Sequence, residues 1–320
     1  MHRRDALGIL GVASLGGLVS GTLGRSAAAA PPAKDAAAPA PAESARATNP
    51  ISLAQWSLHR RFGLCKPEER PSVLADPMDF GKIARNEFGI DRIELVNSFY
   101  RPKIAEKGFA VALRKRFDDD GVQTLLIMCD GEGLCGAADE KARAEFARNH
   151  AKWLELAKAL GCHSIRVNAI GEGAADEQAK RCADGLAKLV ALAKPFGLSV
   201  IVENHGGLSS DGNWVVGVIK RVNDPMCGTL PDFGNWRDAS GTMVDPVRNV
   251  GLVVPYAKGV SAKSYDFDAK GNETLLDYPG LIEVVKKSGY AGAIGIEYEG
   301  KRLSEADGIR ATKALLERLI

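Results

Sequence analysis

The sequence is poor in the residues that build disulfide scaffolds and zinc clusters. Six cysteines are scattered over 320 residues without a CxxC pair, and the chain has five histidines. This sparseness excludes a disulfide-rich scaffold and argues against a structural zinc site. The hydrophobic fraction of 45% and the charged fraction of 26% are instead those of a folded globular chain.

The chain also lacks an excess of charge of either sign. Its 42 basic and 40 acidic residues give a formal net charge of +2, and residues 1–30 hold three arginines and one aspartate. The rest of the chain is therefore balanced at 39 residues of each sign. Because such a body has no net positive field to attract phosphate backbones, we do not expect nucleic acid as a partner.

Residues 1–30 have the order of an export signal. Paired Arg3 and Arg4 precede a glycine-punctuated apolar run from Leu7 to Leu23, and small residues follow from Ala27 to Ala30. This order predicts a twin-arginine signal peptide, export to the periplasm, and contact with a membrane only through this leader during export. An uncleaved anchor or a chance apolar start is the alternative.

Residues 31–50 are dominated by alanine and proline, which make up 13 of the 20 positions. A segment of this composition buries too little apolar surface to offset its ordering entropy. It predicts a flexible linker, followed by a single domain over residues 51–320.

Beyond the linker, short apolar runs alternate with stretches of helical period, as in parallel strands joined by helices. Eight strands are predicted, at Ile51–Ser57, Ile90–Val96, Gln123–Met128, Ser164–Ala169, Ser199–Asn204, Gly228–Asp232, Gly259–Lys263 and Ala293–Tyr298. The clearest helical patterns are Asp139–Leu160, Asp176–Lys194, Asp277–Lys287 and Ser304–Leu319, with Asp139, Asp277 and Ser304 as N-caps. Eight such units predict an α/β fold, the (β/α)8 TIM barrel. An open doubly wound sheet is the rival, but the first βα turn lacks GxGxxG.

Polar residues end most of the predicted strands, where a barrel carries its chemistry. They are Glu94, Arg166, Asn168, Glu203, His205, Asp232, Ser261, Lys263, Glu297 and Glu299. Residues two apart on a strand share a face, so Glu297 stands above Gly295, which leaves room near the barrel axis. Strands five and eight are three apart in a ring of eight, so Glu203 and Glu297 could face each other across the mouth.

Three inward carboxylates, Glu203, Asp232 and Glu297, would repel one another without a cation between them. The alternative is that each acid caps a helix or pairs with a neighbouring arginine or lysine. Many oxygen ligands and few histidines favour Mn²⁺ or Mg²⁺, with Co²⁺ or Zn²⁺ as further candidates.

Four segments then identify a resemblance. IVENHGG (201–207), PDFGNW (231–236), GVSAKSYDF (259–267) and GYAGAIGIEYEG (289–300) resemble the xylose isomerase-like TIM barrel superfamily of sugar phosphate isomerases and epimerases. The resemblance covers about residues 51–320. It implies a metal held by Glu203 on strand five, Asp232 on strand six and Glu297 on strand eight, and relatives that often form homodimers.

The fourth ligand of that family does not match. Where relatives carry a metal-binding histidine on strand seven within HxHxK, this chain has Gly259, Ser261 and Lys263. Three interpretations remain open: His205 supplies the missing nitrogen, a water held by Ser261 fills the position, or the metal site is weakened or lost. His205 is equally a candidate substrate contact.

The resemblance implies metal-assisted isomerisation or epimerisation of a sugar or polyol derivative through an enediolate, with Glu203 and Glu297 as ligands and as acid and base. A non-phosphorylated small carbohydrate is the expected substrate. Its predicted contacts, each also explicable as a rim or core residue, are Trp56, Glu94, Arg166, Asn168, His205, Asn235, Trp236 and Lys263. The two tryptophans are included because indole rings stack on sugar faces, and Lys263 is equally a salt-bridge partner of Asp232 or Glu297.

Two other functions stay open. A lyase or hydrolase acting on an oxidised glycoside would use the same enediolate, and a degenerate metal site would leave a non-catalytic sugar-binding barrel. The apurinic endonucleases of the same superfamily need a histidine-rich three-zinc cluster. With only His59 and His205 near strand ends, that activity is set aside.

Overall fold

A computed structural model describes residues 48–320 of the chain. The predicted signal peptide and residues 31–47 of the predicted linker lie outside the described residues. In the described range, no helix combines the length and the hydrophobicity needed to cross a membrane.

Eight parallel strands form one sheet that curls into a barrel. They are β1 Ile51–Ala54, β2 Arg92–Val96, β3 Gln123–Met128, β4 Ser164–Asn168, β5 Ser199–Glu203, β6 Cys227–Leu230, β7 Val260–Ser264 and β8 Ile294–Tyr298. The sheet order runs from β6 through β1 and β8 to β7. Short bridges join the two ends at Thr229 with Ala257 and at Asp232 with Ser261. The predicted (β/α)8 TIM barrel is therefore confirmed.

Nine α-helices accompany the strands in the described residues. They are α1 Phe80–Phe88, α2 Phe109–Asp119, α3 Glu140–Asn149, α4 Ala151–Leu160, α5 Ala175–Ala193, α6 Gly212–Val222, α7 Pro246–Val253, α8 Tyr278–Lys287 and α9 Glu305–Leu319. The three predicted N-caps are correct, because Asp139, Asp277 and Ser304 each accept a hydrogen bond from a backbone N–H of the first turn.

Most predicted element ends differ from the structure by one or two residues, and two differences are larger. The first strand ends at Ala54, and the predicted strand residues beyond it form a 3-10 helix, Gln55–Leu58, which carries Trp56. The helix predicted over 139–160 is two helices that meet at His150. There the His150 side chain, not its backbone N–H, bonds the Phe146 carbonyl, with Nδ1 at 2.8 Å. The side chain has replaced the bond that would continue the helix.

The barrel interior is tight at the level of Gly295. This glycine pairs with Ser52 of β1, and a Cβ placed on it would lie 2.5 Å from Glu94 Oε1. Only a residue without a side chain leaves space there for the Glu94 carboxylate. The prediction that small residues of strand eight open room near the axis is confirmed.

Candidate metal centre

The carboxylates of Glu203, Asp232 and Glu297 meet at the C-terminal end of the barrel. One oxygen from each lies within 4.8 Å of the other two, and all three residues are buried. Glu203 ends β5, Asp232 follows β6, and Glu297 lies near the end of β8. Parallel strands in one barrel direct their final residues to the same mouth, which is why residues so distant in sequence converge.

Asp232 is the most firmly held of the three. Its Oδ1 accepts hydrogen bonds from the backbone N–H groups of Gly234 at 2.8 Å and Asn235 at 2.9 Å. Its Oδ2 accepts a hydrogen bond from Ser261 Oγ at 2.7 Å. The turn that follows β6 therefore fixes the carboxylate through its own backbone, as aspartate turns commonly do.

Ser261, at the position for which the sequence resemblance implied a histidine, links two acids. Besides Asp232, its hydroxyl lies 3.4 Å from Glu297 Oε2. The position is fully buried, so the serine is part of the cluster. In place of a nitrogen ligand it provides a hydroxyl that orients two carboxylates.

Glu203 carries an unsatisfied oxygen. Its Oε1 accepts a hydrogen bond from Asn235 Nδ2 at 3.1 Å. Arg166 Nε lies 2.7 Å from its Oε2, but the N–H is not aligned for a hydrogen bond and neither atom has a hydrogen-bond partner. A buried carboxylate oxygen left in this state is suited to bind a cation.

Lys263 is buried among acids on the other side of the cluster. Its Nζ lies 3.1 Å from Glu297 Oε1, 3.2 Å from Glu299 Oε2 and 3.8 Å from Asp232 Oδ2. Burial opposes the charge, but these carboxylates hold the pKa of Lys263 well above its usual range. Its ammonium also donates to Asn235 Oδ1 at 3.0 Å. The salt-bridge alternative given for Lys263 thus describes its contacts here.

Arg166 is the second buried cation, and it joins β4 to β3. Its Nη1 donates to Asp130 Oδ1 at 2.6 Å, and Asn168 Nδ2 donates to the same oxygen at 2.8 Å. Burial opposes the ionisation of Asp130, but the Arg166 guanidinium beside it lowers the pKa of this carboxyl below its usual value. These contacts place Arg166 and Asn168 beside Glu203 at the mouth.

Glu94 lies inside the barrel, and its carboxylate is only half satisfied. Ser52 Oγ donates to its Oε1 at 2.6 Å, whereas its buried Oε2 has no hydrogen-bond partner. Burial, with Glu297 and Glu203 nearby, raises the pKa of Glu94 to about 7. Glu94 therefore lies close enough to Glu297 and Glu203 to interact with their charges.

The donor set fits a divalent cation. Burial raises the pKa of Glu203 and of Asp232 to about 7, because ionised carboxylates are costly in a dry site and repel one another. A divalent ion would favour the ionised forms of these acids and would bind the Glu203 oxygen that accepts no hydrogen bond. Three carboxylates with a hydroxyl are ligands of the kind that hard cations such as Mg²⁺ and Mn²⁺ prefer.

Three further predicted residues lie in different surroundings. His205 is exposed, and it is not a member of the carboxylate cluster. Trp56 is partly buried, and its indole N–H donates to Glu299 at the rim. Trp236 is fully buried with its indole N–H unpartnered, and it packs in the core.

The sequence prediction gave no role in the site to Asp130, Asn204 and Glu299, although it placed Glu299 at a strand end. Asn204 bridges the ends of β5 and β6, because its side chain accepts from the Asp232 N–H at 2.8 Å and donates to the Asp232 carbonyl at 3.1 Å. Asp130 and Glu299 both follow strand ends, and the strand-end rule that selected Glu203 applies to them as well.

Comparisons with known proteins agree with this architecture. A family model described as Xylose isomerase-like TIM barrel matches residues 84–319. A solved structure of the IOLI protein with a bound zinc atom superposes with a TM-score of 0.66 at 14% identity, covering 85% of this chain and 99% of that one. The apo 3-keto-D-glucoside 4-epimerase from E. coli gives a TM-score of 0.64 at 14% identity, covering 85% of this chain and 100% of that one.

One curated relative matches over a shorter segment. The C-glycoside deglycosidase alpha subunit of Arthrobacter globiformis is 36% identical over 74 residues, which are 21% of this chain and 21% of the relative. The matched segment thus spans about a fifth of the relative's length.

The fold and the site define a class: a (β/α)8 barrel whose strand ends gather a buried cluster of carboxylates able to hold a metal ion. Within that class, the chain belongs to the xylose isomerase-like TIM barrel family.

Proposed function

We propose that this protein is a metal-dependent isomerase or epimerase acting on a non-phosphorylated sugar or polyol derivative. The observation that carries the proposal is the set of three buried carboxylates, Glu203, Asp232 and Glu297, with ligand oxygens within 4.8 Å of one another. Sugar epimerases among the structures of the same fold support it.

Glu203 and Glu297 would transfer the proton. In the metal-free site burial raises the pKa of Glu203 to about 7, so its carboxylate is a stronger base than that of an exposed glutamate. It would remove the proton from the carbon beside a substrate carbonyl, and Glu297 would deliver a proton to the resulting enediolate. A bound Mg²⁺ or Mn²⁺ would supply Lewis-acid stabilisation of negative charge on the substrate oxygens.

The remaining residues would position the ligands and the substrate. Asp232 would serve as a ligand only, because its backbone contacts prevent it from moving. Lys263, which already faces two carboxylates, would neutralise charge that develops on a substrate oxygen. Asn235 would hold the Glu203 and Lys263 side chains in fixed relative positions, since it forms a hydrogen bond with each of them.

A second candidate function is cleavage of an oxidised glycoside. The segment 36% identical to a C-glycoside deglycosidase alpha subunit favours it. In that reaction the same enediolate forms, and the electron pair then expels the aglycone instead of accepting a proton at carbon. Both candidates use the same base and differ only in the second step.

The test follows substrate protons in deuterated water. The purified protein, loaded with Mg²⁺ or Mn²⁺, is incubated with a panel of ketoses and 3-keto-glucosides and observed by NMR. Deuterium beside a carbonyl would distinguish either enzyme from a sugar-binding protein, and release of an aglycone would distinguish the cleaving enzyme from the isomerase. Metal binding without deuterium incorporation and without aglycone release would contradict both activities and would favour the non-catalytic sugar-binding barrel.

A matched variant separates chemistry from folding. Glu297→Gln removes a proposed metal ligand as well as the proposed proton donor, so it should abolish both deuterium exchange and turnover. Glu283→Gln, which changes an exposed glutamate paired with Lys287 on α8, should leave them unchanged. Equal turnover in the two variants would contradict the assignment.

We also propose that the mature protein is periplasmic and reaches that compartment by the twin-arginine route. The paired Arg3 and Arg4 before an apolar run support this. Replacing both with lysine should retain an uncleaved precursor in the cytoplasm. An intact Met1 on the protein recovered from the periplasm would contradict removal of the leader.

A further inference from the structure

Two buried cysteines meet where the loop after β3 packs against α5. Cys135 belongs to the loop between β3 and α3, and Cys182 lies within α5. Both residues are 0% exposed, and their thiol groups form a hydrogen bond with each other. Neither residue belongs to the carboxylate cluster, so the proposed reaction makes no use of this pair.

Glycines allow the backbones of the two segments to approach closely. A Cβ placed on Gly185 of α5 would lie 2.1 Å from the Cys135 carbonyl oxygen and 3.0 Å from the Cys135 Cα. A Cβ placed on Gly136 would lie 2.5 Å from Cys182 Sγ. Since residues three apart on a helix are neighbours on its surface, Cys182 and Gly185 present one face of α5 to Cys135. A disulfide requires such an approach, with the two Cα atoms within about 7 Å of each other.

Further contacts hold the Cys135 side of the pair. Its Sγ lies 3.5 Å from the carbonyl oxygens of Asn168 and Ile170. The backbone N–H of the next residue, Gly136, donates to the Ile170 carbonyl at 2.9 Å. The Cys135 sulfur is therefore held against the chain segment that leads from β4 into α5, the helix that carries Cys182.

The folded surroundings keep these thiols unreactive. The hydrogen bond with Cys182 and burial hold the pKa of the Cys135 thiol well above its usual value, so little thiolate is present. Thiol–disulfide exchange requires a thiolate and access, so an oxidant reacts when the loop opens locally. A bond formed there would be buried again once the loop closes, and burial would protect it from reductants.

We propose that Cys135 and Cys182 form a disulfide bond that fastens the loop after β3 to α5. In this step each thiol loses its hydrogen and the S–S bond forms, while a disulfide oxidant takes up the two electrons and two protons and leaves as two thiols. Disulfides of this kind persist in oxidising compartments, of which the periplasm proposed above is one.

The bond would strengthen one wall of the barrel mouth. The loop after β3 also supplies Asp130, whose carboxylate accepts a hydrogen bond from Arg166 at 2.6 Å and another from Asn168 at 2.8 Å. A cross-link from the same loop to α5 therefore restrains the segment that holds Arg166 beside Glu203.

The test identifies which cysteines become linked. The purified full-length protein is incubated with oxidised glutathione in urea just below its unfolding transition, which opens buried segments locally without unfolding the chain. Free thiols are then blocked with iodoacetamide under denaturing conditions. Digestion with trypsin and Glu-C, which cleaves after Glu132 and so separates Cys129 from Cys135, should release one pair of linked peptides. We expect this pair to join Cys135 to Cys182 and to separate on reduction with dithiothreitol.

Substitutions and melting curves complete the test. Cys135→Ala and Cys182→Ala each remove one partner, so neither variant should yield the linked peptides. Cys65→Ala changes a partly buried cysteine outside the pair and should yield them as the wild type does. The oxidised wild-type protein should melt several degrees above its reduced form, because the bond closes a long chain segment and restricts the unfolded state. Each of the first two variants should melt at one temperature under both conditions.

An absence of linked peptides from the wild type, a link between other cysteines, or a melting temperature lowered by oxidation would overturn the inference. The wild-type results decide the question even where a variant fails to fold. Because no metal and no substrate are involved, these results would leave the proposed isomerase intact. Conversely, a linked wild-type protein that shows no proton exchange would contradict only the proposed function.

Discussion

Glu132 and Glu203 are both buried glutamates near the barrel mouth, with exposures of 8% and 1%. Both oxygens of Glu132 are satisfied, one by the Trp153 indole and the other by Lys152. One oxygen of Glu203 is satisfied by Asn235, and the other has no hydrogen bond. Burial is common to the two residues, so burial alone does not identify a functional acid.

The sign of the surrounding charge separates them further. Glu132 faces the cations Lys152 and Arg101. Glu203 shares Arg166 with Asp130 and lies among the carboxylates of Asp232 and Glu297. Glu132 forms structural ion pairs with its neighbouring cations. Glu203 belongs to a site in which the carboxylates outnumber the cations that could neutralise them.

Replacing each glutamate by glutamine in turn gives the strongest test of the difference between Glu132 and Glu203. Glu203→Gln should lose bound Mg²⁺ or Mn²⁺ and reduce turnover by roughly 10² to 10⁴. Glu132→Gln should keep its metal and lose at most about 1 kcal/mol of stability, because Lys152, which loses its ionic partner, is 44% exposed and stays hydrated. Metal content by mass spectrometry and urea unfolding measure the two effects. Equal metal content in both variants would remove the distinction.

The pH dependence of stability sharpens the same contrast. Burial raises the pKa of Glu203 and of Asp232 to about 7, well above the value of about 4 in an unfolded chain. Their protonated forms therefore stabilise the fold fully below about pH 4, and this contribution is lost as the pH rises through about 7.

The metal-free protein should consequently lose several degrees of melting temperature between about pH 5 and about pH 8. Added Mg²⁺ should restore more stability at the higher pH, because it binds the ionised carboxylates. Scanning calorimetry of the wild type and of Asp232→Asn measures the effect, and the variant should show the smaller slope. Identical slopes would mean that the cluster does not titrate in this window.

Substitutions at Ser261 test which divalent cation the carboxylate cluster binds more tightly. Its hydroxyl lies between Asp232 and Glu297, so an imidazole at this position would bring a nitrogen donor to the cluster. Ser261→His should raise the affinity for Zn²⁺ relative to Mg²⁺ about tenfold. Ser261→Ala removes the hydroxyl without adding a nitrogen and should give no such gain. The same zinc affinity in both variants would show that Ser261 does not control metal choice.

Much of this site could be predicted because its logic is local. A strand followed by an acid, repeated at barrel spacing, indicates which residues point into the mouth, and it identified Glu203, Asp232 and Glu297. The room above Gly295 followed from the alternation of side chains along one strand. These patterns depend only on neighbours in sequence.

The remaining features depend on distances across the barrel. Whether Lys263 lies nearer to Glu297 or to Asp232 is set by strand register and tilt, which no single segment encodes. The helix break at His150 was missed because the flanking residues continue the helical period, and only the contact of its ring with Phe146 ends the first helix. Asp130 was missed because the predicted third strand ended at Met128, whereas the predicted sixth strand extended to Asp232, although both aspartates lie two residues beyond the observed strand.

Glu94 is intermediate between Glu132 and Glu203 in its hydrogen bonding, and we expect a small effect on stability from a substitution beside it. Its Oε1 accepts from Ser52 at 2.6 Å, while its Oε2 has no hydrogen bond. Ser52→Ala removes the one donor, so it should cost about 1 kcal/mol. The substitution should also raise the pKa of Glu94 further, because the hydrogen bond from Ser52 stabilises the ionised carboxylate and would be absent. Urea unfolding measures the first effect, with Ser240→Ala, an exposed serine bonded to Asp238, as a control expected to stay within about 0.5 kcal/mol of wild type. Equal effects in the two serine variants would place Glu94 with the satisfied acid Glu132 and not with Glu203.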